Sequence, residues 1–219
     1  MDMRISILCF LLALLCTAMV HDANAAGLGI YGSVGGGRAD WSPDYEKTYG
    51  ANTGRLDFGM ALDTAPARDN LFNYNLTVGY GIFRNRSSGG WGNADFEGMI
   101  ISNSFGFGTL VTPKIRIWVG PEITVVWADG SPDDYSNYKI NLFGVGKGLV
   151  LGVNFNNHEK YTTVVKMGFQ VFDYVGEGNG YFSHATNRGT NTYRTYDYDV
   201  NEKMVTLTLE FLFRTSGDR

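Results

Sequence analysis

The stretch that decides the fold is residues 205–213, which read Val-Thr-Leu-Thr-Leu-Glu-Phe-Leu-Phe. Because successive side chains of a β-strand point to opposite faces, this stretch has one apolar and one polar face. The apolar face carries Val205, Leu207, Leu209, Phe211 and Phe213, and the polar face carries Thr206, Thr208 and Glu210. The pattern predicts a strand that separates an apolar environment from a polar one.

Seven further segments alternate in the same way, so the chain is predicted to contain eight strands. The predicted strands are residues 27–36, 55–63, 71–85, 96–111, 115–127, 140–155, 161–175 and 203–214. Short connections alternate strictly with long ones: the short ones are 64–70, 112–114 and 156–160, and the long ones are 37–54, 86–95, 128–139 and 176–202. The sequence therefore predicts an all-β fold, an eight-stranded antiparallel up-and-down transmembrane β-barrel with short periplasmic turns and long extracellular loops.

The first 25 residues are predicted to be a signal peptide, and residues 26–219 the barrel domain. A positive charge precedes an apolar run at residues 5–20, and small residues at 23–25 offer a cleavage site. About 190 residues then remain, which suits a single domain.

The composition argues against several kinds of chemistry. Both cysteines, Cys9 and Cys16, lie in the predicted signal peptide, so we expect no disulfide, cysteine nucleophile or cysteine metal site in the mature chain. His158 and His184 are the histidines that remain, on opposite sides of the membrane in the predicted topology, so we expect neither a metal nor a cofactor. A formal net charge of −4 without basic runs disfavours nucleic acid as a partner.

The polar faces of the predicted strands carry charges of both signs. The alternative is a soluble lipocalin-type barrel with an apolar interior, but these charges favour a membrane barrel with a polar interior. Eight strands leave barely enough width for the interior side chains, so we predict a packed polar network in which Lys166 and Glu210 pair directly. Interior glycines leave a thin water-filled passage as an alternative. The predicted network consists of Arg55, Asp57, Arg116, Glu122, Lys166 and Glu210.

Two residues conflict with the alternation. Lys147 has the same parity as Val145 and Leu149, so it would face lipid at a depth where a lysine costs about 2–4 kcal/mol. A β-bulge at the neighbouring glycines would turn it inward. Asn103 poses the same conflict more mildly.

Aromatic residues near the strand ends are predicted to form girdles at the membrane interfaces. They are Tyr74, Trp118, Trp127, Tyr161 and Tyr174. Trp41 and Trp91 are expected in loops, where a carbohydrate-binding platform is the alternative to a girdle. Residues 193–199 alternate again, which predicts either a hairpin arm whose edges could capture partner strands or a solvated loop.

Together, the signal, the strand count, the loop alternation and the closing strand resemble the small eight-stranded outer membrane proteins of Gram-negative bacteria, the OmpX, OmpA-barrel and OmpW group. The resemblance implies a location in the cell outer membrane and, as partners, its lipids, lipopolysaccharide and the barrel insertion machinery. It also implies an envelope-structural or surface-interaction role. We expect a non-enzymatic barrel whose extracellular loops, residues 176–202 above all, contact a ligand. The OmpW-like branch implies the alternative of a narrow pore for small or apolar solutes.

One loop motif resembles a catalytic site. Residues 182–187, Phe-Ser-His-Ala-Thr-Asn, are similar to the His-x-Ser-Asn stretch of the lipid A deacylases of the PagL type, which are also eight-stranded outer membrane barrels. The resemblance implies His184 as general base and Thr186 as hydroxyl nucleophile, with threonine in place of the family's serine. Lipid A deacylation is therefore the second alternative function.

Overall fold

The computed structural model describes residues 26–44, 47–65, 71–87, 93–133, 138–156, 158–183 and 191–214, without the side chains of 181–183 and 191–194. The predicted signal peptide lies outside these residues. No helix within the described ranges is long and apolar enough to cross a membrane. The described chain forms the strands β1 (Gly27–Pro43), β2 (Tyr49–Asp63), β3 (Phe72–Ser87), β4 (Asn93–Thr112), β5 (Ile115–Pro132), β6 (Tyr138–Phe155), β7 (Tyr161–Ser183) and β8 (Asn191–Arg214).

The eight strands close into a barrel in which each strand pairs with its neighbours in the sequence. All pairs are antiparallel, and β1 closes the ring by pairing with β8. A row of backbone partners that starts at Val34 crosses all eight strands and returns to Asp44, the residue that follows β1, ten residues further along the chain. A stagger of this size requires strands that tilt strongly against the barrel axis. The predicted eight-stranded antiparallel up-and-down barrel is confirmed.

Most strands continue further than the sequence predicts at the end that carries the long connections, which the predicted topology places on the extracellular side. The largest difference is in β8, which begins at Asn191 instead of 203 because residues 191–202 pair with β7 in regular register. The predicted long loop 176–202 is therefore mostly a hairpin of paired strands. Of the two expectations for residues 193–199, the strand extension is correct and the solvated loop is wrong.

Each strand exchanges the polarity of its two faces along its length. Near the periplasmic end of β8, Leu207 and Leu209 are 50% and 57% exposed on the outer face, whereas Glu210 is fully buried inside. Near the extracellular end of the same strand, Asp199 is exposed outside and Val200 is buried inside. Lipid around the periplasmic half of the barrel requires an apolar outer face, and water around the extracellular half requires a polar outer face. The interior of the extracellular half is therefore apolar, as the core of a soluble protein is.

The two residues that conflict with the alternation both remain on the outer face. The predicted bulge at Lys147 is absent, because β6 pairs in regular register with β5 and β7. The Lys147 Nζ atom lies instead 3.5 Å from the Asp173 Oδ2 atom, so the side chain extends toward the polar extracellular rim. Asn103 is covered by Tyr74, whose hydroxyl donates a 2.5 Å hydrogen bond to the Asn103 Oδ1 atom. Each polar group thus has a partner in an otherwise apolar belt.

Candidate functional site

The periplasmic half of the barrel interior holds a polar network centred on Lys166 and Glu210. These side chains extend inward from the neighbouring strands β7 and β8 and form an ion pair. Asn75 of β3 reaches across the interior to both of them: its amide donates a 2.9 Å hydrogen bond to the Glu210 Oε2 atom, and its Oδ1 atom accepts a 2.8 Å bond from Lys166 Nζ. Charge and hydrogen-bond partners together compensate for the loss of water around this pair.

A second part of the network surrounds Glu122 of β5. Gln170 of β7 donates from its Nε2 atom to the Glu122 Oε2 atom at 2.8 Å and to the Thr124 hydroxyl at 2.8 Å. Ser104 of β4 donates to the other carboxylate oxygen at 3.1 Å. The bond from Gln170 connects β7 to β5 across the intervening strand β6, so it joins strands that do not pair with each other. Gln170 and Asn75 are uncharged, so the charge pattern of the sequence does not identify them as members of the network.

The remaining predicted charges also point inward. Arg55 and Asp57 lie two residues apart on β2, with the Arg55 Nε atom 2.9 Å from the Asp57 Oδ1 atom, and the Arg55 guanidinium stands 5.6 Å from the centre of the Phe172 ring. Arg116 is fully buried at the periplasmic end of β5. The structure therefore places all six predicted residues inside the barrel and brings four of them together as two ion pairs.

The extracellular half of the interior is apolar and rich in aromatic rings. Trp41 lies on β1 inside the barrel, so its predicted position in a loop, and with it the carbohydrate-binding platform, is wrong. Its ring stacks on Phe96 and Tyr49 at centroid distances of 5.7 and 6.3 Å and meets Tyr198 edge-on at 5.9 Å. The buried residues of this apolar compartment are Ala39, Trp41, Ala51, Phe83, Phe96, Ile100, Val126, Ala128, Tyr138, Ile140, Leu142, Phe172, Tyr174, Tyr198, Val200 and Met204.

Two of the predicted girdle residues belong to the interior instead. Trp118 is 1% exposed and donates a 2.8 Å hydrogen bond to the Asn154 Oδ1 atom. Tyr174 is also buried, and its hydroxyl donates to the Glu202 Oε2 atom at 2.9 Å. Both residues occupy positions of their strands whose side chains point inward. A prediction based only on distance from the strand end overlooks this alternation. Trp127 lies on the outer face, as a girdle residue should.

Interior glycines accommodate large side chains from neighbouring strands. A Cβ atom at Gly144 would lie 2.1 Å from the Tyr174 ring, and one at Gly152 would lie 2.1 Å from the Trp118 ring. Likewise, a Cβ atom at Gly81 would lie 2.4 Å from the Ile100 side chain. The space beside these glycines is therefore filled by side chains, which differs from the water-filled passage that was the alternative.

Two small cavities lie next to each other in the apolar compartment, and Trp41 lines both of them. Each offers about 20 Å³, enough for a single water molecule. The polar groups at the cavity between Trp41 and Leu142 are Asn85, Tyr174 and Glu202. The indole Nε1–H group of Trp41 is buried and has no hydrogen-bond partner among the described residues. An unused buried donor of this kind is uncommon in proteins.

The residues of the deacylase-like motif, His184 and Thr186, lie outside the described residues, as does Trp91. His158 lies in the turn between β6 and β7, where its Nδ1 atom accepts a 3.1 Å hydrogen bond from the Lys160 amide and its ring stacks on Tyr161. Within the described ranges, no three metal-ligating side chains form a group that could hold an ion.

One well-formed ion pair lies on the outer face near the extracellular ends of β3 and β4. Arg84 donates from two nitrogens to the two carboxylate oxygens of Asp95, at 2.8 and 2.7 Å. These hydrogen bonds from Arg84 hold the pKa of the Asp95 carboxyl below its usual range. The charges of Arg84 and Asp95 therefore neutralise each other.

Comparison with solved structures identifies the class of fold. The outer membrane protein OprG from Pseudomonas aeruginosa aligns with a TM-score of 0.58 over 89% of this chain and 99% of that chain, at 15% sequence identity. Neisserial surface protein A aligns at 14% identity over 83% and 97% of the chains with a TM-score of 0.33. Ail of Yersinia pestis aligns at 11% identity over 86% and 99%, with a TM-score of 0.35. The alignment with OprG supports the shared fold.

No protein-family model matches the chain, and no curated protein sequence matches it. The class of protein therefore follows from the fold together with the apolar belt on its outer face: the chain is a small outer membrane β-barrel. The predicted fold class and location in the cell outer membrane are confirmed at this level.

Proposed function

We propose that this barrel is a non-enzymatic outer membrane protein that binds small, largely apolar solutes in the extracellular half of its interior. The observation that supports this proposal most directly is Trp41, a buried ring with an unused N–H donor between two adjacent cavities. Small-molecule sites are mostly apolar and contain a few polar groups that orient the ligand. Asn85, Tyr174 and Glu202 provide such groups here.

The size of the cavities defines how a solute would enter. Eight-stranded barrels with an apolar interior are wide enough to hold one small ligand. The cavities in this barrel offer about 20 Å³ each, so a bound solute has to displace a side chain. Movement of the Trp41 ring would join the two cavities and expose its donor to an acceptor on the solute. A suitable solute therefore has an aromatic or aliphatic body and one hydrogen-bonding group.

The polar network below the compartment favours binding over free conduction. A solute or ion that continued toward the periplasm would have to separate Gln170 from Glu122 and Lys166 from Glu210. Removal of one partner from a buried ion pair costs about 3–5 kcal/mol. The narrow-pore alternative, which the OmpW-like resemblance implies, requires this network to open during passage.

The proposal can be tested by ¹⁹F NMR of the full barrel labelled with 5-fluorotryptophan and titrated with indole or benzyl alcohol. Trp41 reports on the apolar compartment, Trp118 on the polar half, and Trp127 on solute dissolved in the detergent around the barrel. We expect a saturable shift of the Trp41 resonance alone. Assignment uses single Trp→Phe variants.

A cavity-filling variant sharpens this test. Ala128→Leu adds volume to the cavity beside Trp41 and should weaken binding by about tenfold or more. Asp129→Asn, which alters the next side chain on the outer face, should leave binding unchanged. Shifts that do not saturate, or that are equal at Trp41 and Trp127, would show that the compartment is a sealed core.

A surface-interaction role through residues 176–202 is a second proposal, supported by the length of the β7–β8 hairpin. Pairing of β6 with β7 ends at Tyr138–Gly180, whereas β7 and β8 remain paired up to Ser183 and Asn191. Among the described residues, no further strand pairs with the edges of this projecting part, so they offer backbone groups to a strand of another protein. Replacement of residues 181–193 by a two-residue turn should preserve the barrel and abolish binding of intact cells to any protein ligand.

A further inference from the structure

An open apolar groove runs along the outer face of the barrel where β8, β1 and β2 lie side by side. Gly32 forms its floor, because a Cβ atom at this position would have no neighbour within 4 Å. The groove has a volume of about 480 Å³. Its walls are the half-buried ring of Phe211 and the exposed side chains of Ile30, Val34, Leu56, Leu207 and Leu209.

The groove continues toward the extracellular side over a second bare surface. Gly36 of β1 pairs directly with Gly54 of β2, and a Cβ atom at Gly54 would again meet nothing within 4 Å. Neighbouring strands therefore present backbone without side chains above the first groove. A flexible hydrocarbon chain can lie flat against such a surface, since dispersion contacts need close approach.

Two basic residues stand directly above this bare surface. Arg38 of β1 and Lys203 of β8 are register partners, and both side chains are exposed on the outer face. Lys147 belongs to the same row of backbone partners, two strands away from Lys203 through Val171. The row marks the level at which the apolar belt gives way to polar residues.

The acidic neighbours of the row leave Lys203 available. The Asp40 Oδ1 atom lies 3.9 Å from the Arg38 Nε atom, and the Asp173 Oδ2 atom lies 3.5 Å from the Lys147 Nζ atom. Among the described residues, no carboxylate lies within ion-pair distance of Lys203. Asp40 is two residues further along β1 toward the extracellular end than Arg38, and the Arg38 guanidinium extends in the same direction over Gly50, so it lies at headgroup level above the bare glycines.

We propose that this outer face binds a phosphorylated, multiply acylated glycolipid of the outer leaflet, with a phosphate on Arg38 and Lys203 and an acyl chain in the groove over Gly32. Charge complementarity selects the headgroup, because guanidinium and ammonium groups form charge-assisted hydrogen bonds with phosphate. The groove selects a lipid over a free phosphate, because it buries hydrocarbon directly beneath the bases. The site lies outside the barrel and is independent of the solute compartment within it.

The test is binding of bisphosphorylated lipid A to the full barrel in detergent micelles, followed by native mass spectrometry. Each basic residue at an anionic lipid surface contributes roughly a factor of five in affinity, so Arg38→Gln with Lys203→Gln should weaken binding about thirtyfold. The matched control is Lys139→Gln with Lys147→Gln, which removes the same charge from the outer face on β6, two strands away from Lys203, and should change the affinity less than about twofold. Equal weakening by both pairs would mean that only overall charge matters, and would overturn the site.

A second variant separates the acyl groove from the charge. A Cβ atom at Gly32 would meet nothing within 4 Å, so Gly32→Leu places a side chain over the groove floor and should weaken lipid A binding about tenfold while the barrel stays folded. Lipid A without its phosphates should bind the wild type about as weakly as lipid A binds the Arg38/Lys203 variant. Inorganic phosphate at millimolar concentration should not compete. Effective competition by phosphate, or unchanged affinity of Gly32→Leu, would reduce the site to a simple anion contact and contradict the proposal.

Discussion

Lys166 and Glu210 form an ion pair that is buried in the barrel interior, and Asn75 hydrogen-bonds to both of them. The three residues come from β7, β8 and β3, so the contact joins the β7–β8 hairpin to the opposite side of the barrel. A buried pair of this kind costs solvation energy, which its geometry has to recover. Its value to the barrel lies in holding one arrangement of the interior.

The first prediction concerns the removal of one partner. Lys166→Met leaves the Glu210 carboxylate buried without its cation and should lower the free energy of unfolding by about 3–5 kcal/mol. Lys166→Met combined with Glu210→Leu should recover most of this loss, since neither charge remains. Guanidinium unfolding in lipid vesicles, followed by tryptophan fluorescence, measures both variants. A double variant as unstable as the single one would contradict the assignment.

The second prediction concerns the hydrogen bond between Tyr74 and Asn103 on the lipid-facing side. Tyr74→Phe leaves the Asn103 amide without its donor in the apolar belt, which should cost about 1–3 kcal/mol. Tyr74→Phe with Asn103→Leu should restore stability. Tyr161→Phe serves as the control, because the Tyr161 ring packs by stacking on Phe211. The same unfolding assay applies, and a neutral Tyr74→Phe would show that Asn103 finds another partner.

The sequence predicts the barrel well because alternation and connection length are local signals. The pairing of Lys166 with Glu210 also follows from sequence, since their strands are neighbours. The bond between Gln170 and Glu122 could not be predicted in this way, because it crosses the interior between strands that do not pair. No pairing rule specifies which side chains meet across a lumen.

The apolar compartment was missed for a different physical reason. Period-two alternation assigns residues to two faces but does not say whether the outside is lipid or water. On β7, Lys166 and Gln170 share a face with Phe172 and Tyr174. The apolar pattern therefore shifts by one residue where the strand leaves the membrane, and the predicted strands end near that point. Trp41 lies beyond the same transition, which is why the alternation pattern predicts a loop at this position.

The third prediction concerns conduction. The packed interior should give no stable single-channel conductance in planar bilayers, and Arg116→Ser or Glu122→Gln should not open one. A known porin in the same bilayer provides the positive control. Regular, ion-selective steps from the purified wild type would favour the narrow pore and would require the polar network to open spontaneously.

The fourth prediction concerns topology. An epitope tag inserted in residues 184–190 should be accessible to antibody on intact cells, because this connection joins the longest strands of the barrel. A tag in the turn at 156–160 should become accessible only after the outer membrane is permeabilised. Each tagged protein is compared before and after permeabilisation. The reverse accessibility would invert the barrel in the membrane.

The fifth prediction concerns the deacylase-like motif at His184. We expect no release of 3-hydroxy fatty acid from lipid A by the purified barrel, and no change in lipid A on overexpression. His184→Ala and Thr186→Ala should each change stability by less than about 0.5 kcal/mol. Mass spectrometry of lipid A is the readout. A deacylated product that disappears with His184→Ala would make the protein a hydrolase, because loss of a general base reduces the rate by orders of magnitude.

The exchange of polarity along each strand determines the depth at which the barrel lies in the bilayer. A displacement toward the cell would move Arg38, Asp173 and Asp199 into hydrocarbon, where an arginine costs up to about 2–4 kcal/mol at the midplane and an aspartate costs less. A displacement outward would expose the apolar belt to water at about 25 cal/mol per Å². Displacement in either direction costs free energy, so the barrel has one preferred depth in the bilayer. A membrane of unsuitable thickness must therefore stretch or thin around the barrel.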